Sequence, residues 1–265
     1  AKRSLDGVWT KSNVVWGLEV GMASETVLDN RGNPHIFYYS PAGFLVHATP
    51  RANDATKWDK HELAEALGGF SARISPIVVK DTIWISYLDW NFSEIELHLG
   101  KLPIADPRKF TTEFISKSNN PGWQSQLGFI DGEPQILATS SMTRHLYIHT
   151  KVQGVWQSKP FVKKAISFEA LTLNNKWIIL YEDADVPIGK SGVIRMLKGV
   201  LNSWEHFSID LNGPNGNHLA LTQKDGKILA AYYSEAVRGL KVYDELLSPK
   251  LQPKPPAVPV PFQDL

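Results

Sequence analysis

Five copies of one strand pattern predict an all-β fold, a five-bladed β-propeller with four strands per blade. Three observations carry this reading. A strand-like run ending in aromatic or small polar residues recurs five times, each copy follows a turn, and the spacing is roughly 42–52 residues. A sheet of that size cannot bury both faces alone and must stack on its neighbours.

The recurring runs are NPHIFYYS (33–40), DTIWISYLD (81–89), EPQILATSS (133–141), KWIILYED (176–183) and KILAAYYS (227–234). Each is preceded by an apolar run and a short connection: DNRGN, KD, DGE, NN and KDGK in turn, so each blade opens with a hairpin. Third runs follow at FLVHAT (44–49), EIELHL (94–99), LYIHT (146–150), VIRML (193–197) and LKVYDEL (240–246). Fourth runs carry an aromatic, Trp58, Phe110, Trp156 or Trp204, and the fifth copy lacks one. The segment DGVWTKSNVV (6–15) is a near-copy of QGVWQSKPFV (153–162), which ends a blade. It is therefore expected to be the missing outer strand, closing the last blade and leaving no open edge.

These elements define one expected domain over residues 1–247: a closing strand at 5–16, then blades at about 22–63, 71–115, 123–162, 166–210 and 217–247. The proline-rich segment 248–265 cannot supply a central strand, because proline lacks the ladder's donor, and reads as an extended tail.

Composition limits the partners. Lys plus Arg number 28 and Asp plus Glu 27, a net charge of +1, which argues against a nucleic-acid backbone as the main ligand. No run approaches the roughly 18 apolar residues of a membrane span, so no membrane insertion is expected. The absence of cysteine removes disulfides, thiolate metal sites and cysteine nucleophiles.

In a propeller the loops between second and third strands gather on one face. Here they read SPAG (40–43), DWNFS (89–93), SSMTRH (140–145), EDADVPIGKSG (182–192) and SEAVRG (234–239). They bring Asp89, Glu182, Asp183, Asp185, Glu235, Arg144, Lys190 and Arg238 together with Tyr39, Trp90, Phe92 and Tyr233. The starts of innermost strands add Glu25, Arg73, Gln124, Asn217 and His218. Aromatic platforms beside carboxylates and guanidiniums suit a sugar ring, which has apolar faces and a polar edge. The expected ligand contacts are Tyr39, Trp90, Arg73, Arg144, Asp183, His218, Glu235 and Arg238. Glycosidic hydrolysis needs two facing carboxyl groups, and Asp89 with Glu182 is the candidate catalytic pair.

No metal or other cofactor is expected. His47, His98 and His149 stand 51 residues apart on third strands of separate blades, too far apart to share one ion, and read as repeat-encoded packing. The stretch DADVPIGKSG lacks the ligand spacing and terminal acid of an EF-hand loop. The GKS within it lacks the upstream glycine of a phosphate loop.

The unit VLDNRGNPHIFYYSPAGFLVHA (27–48), with its Asp-x-x-Gly-x-Pro-like turn, resembles the repeats of bacterial sialidase-like (Asp-box) propellers, and similar turns stand at 131–134 and 225–226. The Ser-x-Asp-x-Gly-x-x-Trp box is not reproduced, and sialidases usually have six blades. The resemblance implies a secreted or periplasmic protein that handles glycans. Three functions are compatible with it: a lectin-like carbohydrate-binding propeller, a glycoside hydrolase, and a protein-interaction scaffold. In five-bladed glycosidases an acid opens the first inner strand, a place that Glu25 holds here.

Overall fold

The computed structural model of the 265-residue chain describes residues 2–3, 9–10, 13–14, 23–67, 73–90, 94–117, 121–184, 192–211, 215–235 and 237–244. Its architecture is all-β: five antiparallel blades in succession, a five-bladed β-propeller. The chain divides into two compact units, residues 1–127 and 128–265.

In the first unit, β1 (Lys2–Arg3) pairs with β2 (Trp9–Thr10). The first blade follows in the order β3 (Ser24–Leu28), β4 (Pro34–Tyr39), β5 (Phe44–Arg51), β6 (Asp54–Glu65). The second is β7 (Ser75–Val79), β8 (Thr82–Trp90), β9 (Ile95–Pro103), β10 (Thr111–Ser116), with a 3₁₀ turn at Pro107–Lys109 before β10. Within the expected closing strand 5–16, Trp9–Thr10 belong to the pair just described, and Val14 packs against the cluster of Tyr38, Val46 and Ala48. Residues 5–8, 11–12 and 15–16 of that strand, and the whole tail 248–265, lie outside the described residues.

The third blade opens with β11 (Pro121–Ile130), in which the division between units falls, and continues through β12 (Glu133–Ser140), β13 (Leu146–Val152) and β14 (Val155–Val162). The fourth is β15 (Ala165–Leu173), β16 (Lys176–Asp183), β17 (Val193–Val200), β18 (Ser203–Asp210). The fifth has three strands among the described residues: β19 (Asn215–Lys224), β20 (Lys227–Ser234) and β21 (Gly239–Asp244).

Burial explains the sequence pattern. Second strands are enclosed on both faces and read as unbroken apolar runs: Trp177, Ile178, Ile179 and Leu180 are all fully buried, as are Phe37 and Tyr39 in the first blade. Outer strands are largely exposed, with their aromatics as anchors. Trp204 stacks on Phe161 with ring centroids 5.1 Å apart, and Trp58 packs on the Tyr38 cluster.

The hairpin connections follow from turn chemistry. Asp131 with Gly132, Asn174 with Asn175, and Asp225 with Gly226 hold paired positive φ angles. Two-residue hairpins need that geometry, and these residue types tolerate it. The longer DNRGN turn is built by Asp29, whose Oδ1 accepts the backbone N–H groups of Arg31 and Asn33 at 2.8 Å each. Its Oδ2 accepts Asn33 Nδ2 at 2.9 Å.

Candidate functional site

In the first unit, Ala66 and Leu67 follow β6 onto the end of β8. Leu67 donates its N–H to Asp89 Oδ1 at 2.9 Å and accepts the Trp90 N–H at 2.8 Å. Asp89 and Trp90, both half-buried, are thereby fixed at the point where the chain passes from the first blade to the second. Asp89 faces Glu96 in the β8–β9 register, and His98 follows on the same face of β9. His98 Nε2 lies 3.1 Å from Glu96 Oε2, its ring stacks on Tyr87 at 5.3 Å, and its Nδ1 is buried without a hydrogen-bond partner. Potential ligand atoms of Asp89, Glu96 and His98 all lie within 4.8 Å of one another. One imidazole and two carboxylates form a mixed donor set suited to a divalent ion such as zinc or manganese.

Other expected contacts of this unit take different places. Arg73 Nε lies 3.8 Å from Glu25 Oε1, and both side chains are partly exposed. Tyr39 was expected to offer its ring to a ligand. Its side chain is fully enclosed, and its hydroxyl donates to the Leu88 carbonyl at 2.8 Å while accepting the Leu88 N–H at 3.0 Å. Burial pushes its pKa well above the ordinary tyrosine value, so the hydroxyl keeps its proton. Tyr39 is a tether between the first two blades. Phe92 lies outside the described residues.

The neighbouring Tyr38 faces a groove of about 830 Å³. Ser40, Pro41 and Ala42 of the β4–β5 loop, residues 60–63 of β6, and Pro107, Arg108 and Phe110 from the 3₁₀ turn complete its wall with Val46. Asp106 caps that turn and orients Arg108, accepting its Nε at 2.9 Å and its N–H at 3.3 Å. A volume of this order holds a small oligosaccharide. Phe110 and two prolines supply apolar faces, while Ser40, Lys60, His61, Glu62 and Arg108 supply hydrogen-bonding groups.

In the second unit, Glu182 and Asp183 end β16 and are both buried. Ser167 Oγ lies 3.5 Å from Glu182 Oε2. Asp183 accepts Arg195 Nε at 2.5 Å, and Arg195 also reaches Ser208 Oγ at 3.3 Å. Arg144, exposed in the β12–β13 loop, has φ 58° and donates its N–H to the Ser140 carbonyl at 2.9 Å. Exposed Glu235 and Arg238 share the β20–β21 turn, where the Arg238 N–H donates to the Glu235 carbonyl at 3.2 Å. His218 is exposed with φ 66°, where the β19–β20 register shifts between Gly216 and Ala220. Asp185 and Lys190 fall outside the described residues. The proposed catalytic acids stand in separate units, Asp89 in the first and Glu182 in the second.

Sequence reasoning missed the groove, Glu96 as Asp89's partner, and Arg195 as Asp183's. Glu96 was legible in principle, because the hairpin loop after Asp89 sets which residue lies opposite. The groove joins residues 38–46 and 60–63 of the first blade to residues 107–110 of the second and leaves no local signal.

No protein-family model matches this sequence, and no curated protein is a sequence match. Among solved structures, the fucose-specific lectin from Aleuria aurantia superposes with a TM-score of 0.53 and 15% identity, over 79% of this chain and 70% of the lectin. An alpha-L-arabinofuranosidase from Lactobacillus brevis gives 0.49 and 10%, over 86% and 91% of the two chains. An endo-arabinase from Bacteroides thetaiotaomicron gives 0.48 and 13%, over 89% and 96%. The lectin likeness establishes the propeller fold.

Proposed function

We propose that this protein binds glycans, in the manner of a lectin, with the groove of the first unit as a primary contact surface. The observation that carries the reading is the groove's composition: Phe110, Pro41 and Pro107 beside Ser40, Lys60, Glu62 and Arg108. A pyranose has C–H faces that stack on rings and hydroxyls that need donors and acceptors together, and this wall offers both. The fold likeness to a fucose-specific lectin supports the reading. The sialidase-like repeat grammar supports it too, along with a secreted or periplasmic location.

The test is glycan-array screening followed by calorimetry on the best sugar. Ala42→Trp, at an exposed position, should fill the groove and abolish binding. Phe110→Ala should weaken binding about tenfold, the worth of one ring stack of roughly 1.4 kcal/mol. Full affinity in both variants would remove the groove from the site, and absence of binding to any sugar by the folded protein would overturn the function.

Hydrolysis is a second reading, favoured by one observation. Oxygen atoms of Asp89 and Glu96 lie within 4.8 Å, near the roughly 5–5.5 Å separation of the carboxyl pair in retaining glycosidases. On this reading Asp89 acts with Glu96, whereas the sequence paired it with Glu182. Released reducing sugar that disappears in Asp89→Asn and Glu96→Gln but survives in Glu182→Gln would establish it. Product formation unaffected by Asp89→Asn would exclude both pairings.

A further inference from the structure

The first blade carries a line of imidazoles ending at the groove. His35 on β4 lies with Nδ1 2.8 Å from Nε2 of His47 on β5, their rings stacked at 5.1 Å and 11°. His47 stacks in turn on His61 of β6, with centroids 6.0 Å apart, and His61 lines the groove. At the other end, His35 Nε2 lies 3.7 Å from Asp29 Oδ2. His35 is 4% exposed and His47 0%.

The network assigns the protons. One N–H must lie between His35 Nδ1 and His47 Nε2, because two lone pairs or two protons would repel at 2.8 Å. With that proton on His47 Nε2, His35 carries its own proton on Nε2, 3.7 Å from Asp29 Oδ2, where the carboxylate attracts it without a hydrogen bond. His47 Nδ1 is then a bare lone pair, buried and unpartnered. The opposite tautomers would bury a donor N–H at His47 Nδ1 with nothing to receive it and turn a lone pair of His35 toward the carboxylate. Above neutral pH this neutral arrangement is therefore the better matched of the two.

Acid removes the match. A proton added to His35 Nδ1 meets the His47 N–H, and a proton added to His47 Nδ1 creates a cation in an enclosed site with no acceptor. The titratable groups that act on the two rings are Asp29, on the β3–β4 turn, and His61, on β6. Asp29 stabilises one positive charge, on His35. His61 opposes a charge on His47. Beside the turn, the second blade presents the Lys80 carbonyl, which accepts Asn30 Nδ2 at 2.9 Å.

We propose that Asp29, His35, His47 and His61 form an acid-sensitive latch in the first blade, and that breaking it opens strands β4–β6 and releases a glycan from the groove. The release step rests on the glycan-binding reading above; the opening does not. Burial lowers the pKa of His47 from 6.5 to about 3, reinforced by His35 and His61, and burial also lowers that of His35 against the opposing pull of Asp29. Unfolded imidazoles protonate near 6.5 while the folded ones resist, so stability conferred by the latch is complete above pH 6.5 and is lost as pH falls toward about 3.

Hydrogen exchange at pH 7 and pH 4.5, corrected for the intrinsic rate of exchange, tests the opening without any sugar. Residues 34–39 and 44–51 should lose protection at least tenfold at the lower pH. Strands β15–β17, which contain no histidine, should not. In His47→Gln, where an amide replaces the titrating ring, the pH response should largely vanish. Should that variant fail to fold, the imidazole resonances of the wild-type protein give the same reading: His35 and His47 must stay neutral until the blade opens. Equal protection of the first blade at both pH values, or early protonation of both rings in a closed blade, would overturn the latch. Sugar affinity followed over the same range should fall with the protection. Loss of protection without loss of affinity would sever the latch from the groove, and absence of sugar binding at every pH would refute the glycan reading and leave the latch to the exchange data.

Discussion

Tyr39→Phe removes one oxygen atom and nothing else. That oxygen accepts the Leu88 N–H at 3.0 Å and donates to the Leu88 carbonyl at 2.8 Å. The β7–β8 ladder ends at Ser75 opposite Ser86, so two residues further along β8 the tyrosine hydroxyl satisfies backbone groups that β7 no longer reaches. The site is enclosed, with Tyr39 fully buried and Leu88 1% exposed. Phenylalanine leaves a donor and an acceptor there without partners. Each unsatisfied group costs roughly 1–3 kcal/mol, so the pair costs about 3 kcal/mol. At roughly 2–4 °C per kcal/mol for a chain of this size, Tm should fall by about 6–12 °C. Differential scanning calorimetry measures that shift, and hydrogen exchange at the Leu88 amide locates it. A Tm within about 2 °C of wild type, with Leu88 still protected, would refute the tether argument. Because the ring presents no face to solvent, sugar affinity of the folded variant should be unchanged; a large loss of affinity with unchanged stability would return Tyr39 to the binding surface.

Three other substitutions probe the same architecture. In Gly128→Ala the new methyl would overlap the indole of Trp177 and the methyl of Thr172; Trp177 is fully buried and held by Gln135 through a 2.9 Å bond, so urea denaturation should show a loss of about 2–3 kcal/mol. Asp183→Ala strips Arg195 of its carboxylate partner at a site where the two side chains are only 11% and 21% exposed, and the same assay should register about 3 kcal/mol. Asp29→Ala should cost about 2–3 kcal/mol by removing three charge-assisted hydrogen bonds from the first turn. Burial of the Asp29 carboxyl is outweighed by bonds from Asn33 and Arg31, which hold its pKa down to about 2. Its contribution is thus present above pH 3.8 and lost as pH falls through about 2, below the range in which the histidine latch responds. Between pH 7 and 4.5 the Asp29 carboxylate stays charged, so its own titration adds nothing to the loss of first-blade protection in that range.

Local chemistry was readable wherever it sufficed. The paired turn residues at 131–132, 174–175 and 225–226 announced hairpins because few residue types accept left-handed backbone twice in succession. The unbroken apolar run at 177–180 announced a strand, and the structure buries all four of its residues. The third-strand histidines were read as packing. In the structure His47 is enclosed among rings, His149 donates to or accepts from Ser158 Oγ at 2.7 Å, and His98 stacks on Tyr87. The adjacent tyrosines of FYYS show where such reading stops. Tyr38 packs with Val46 and Ala48 beneath the groove and Tyr39 reaches Leu88, and nothing in the two letters says which, because strand register alone assigns alternate residues to opposite faces.

The sequence by itself determined that the chain is a propeller of five repeated hairpins, since period, alternation and turn residues act over a few neighbours and need no knowledge of the rest. Tertiary structure decided the destinations of the side chains. It turned Tyr39 into a tether on Leu88, gave Asp183 to Arg195, set Asp89 opposite Glu96, aligned His35, His47 and His61 across three strands, and assembled a groove from residues 38 to 110. The physical reason is that a hydrogen bond or a ring stack depends on a few ångströms between atoms far apart in the chain, and that distance exists only once the strands have taken their register and the blades have packed.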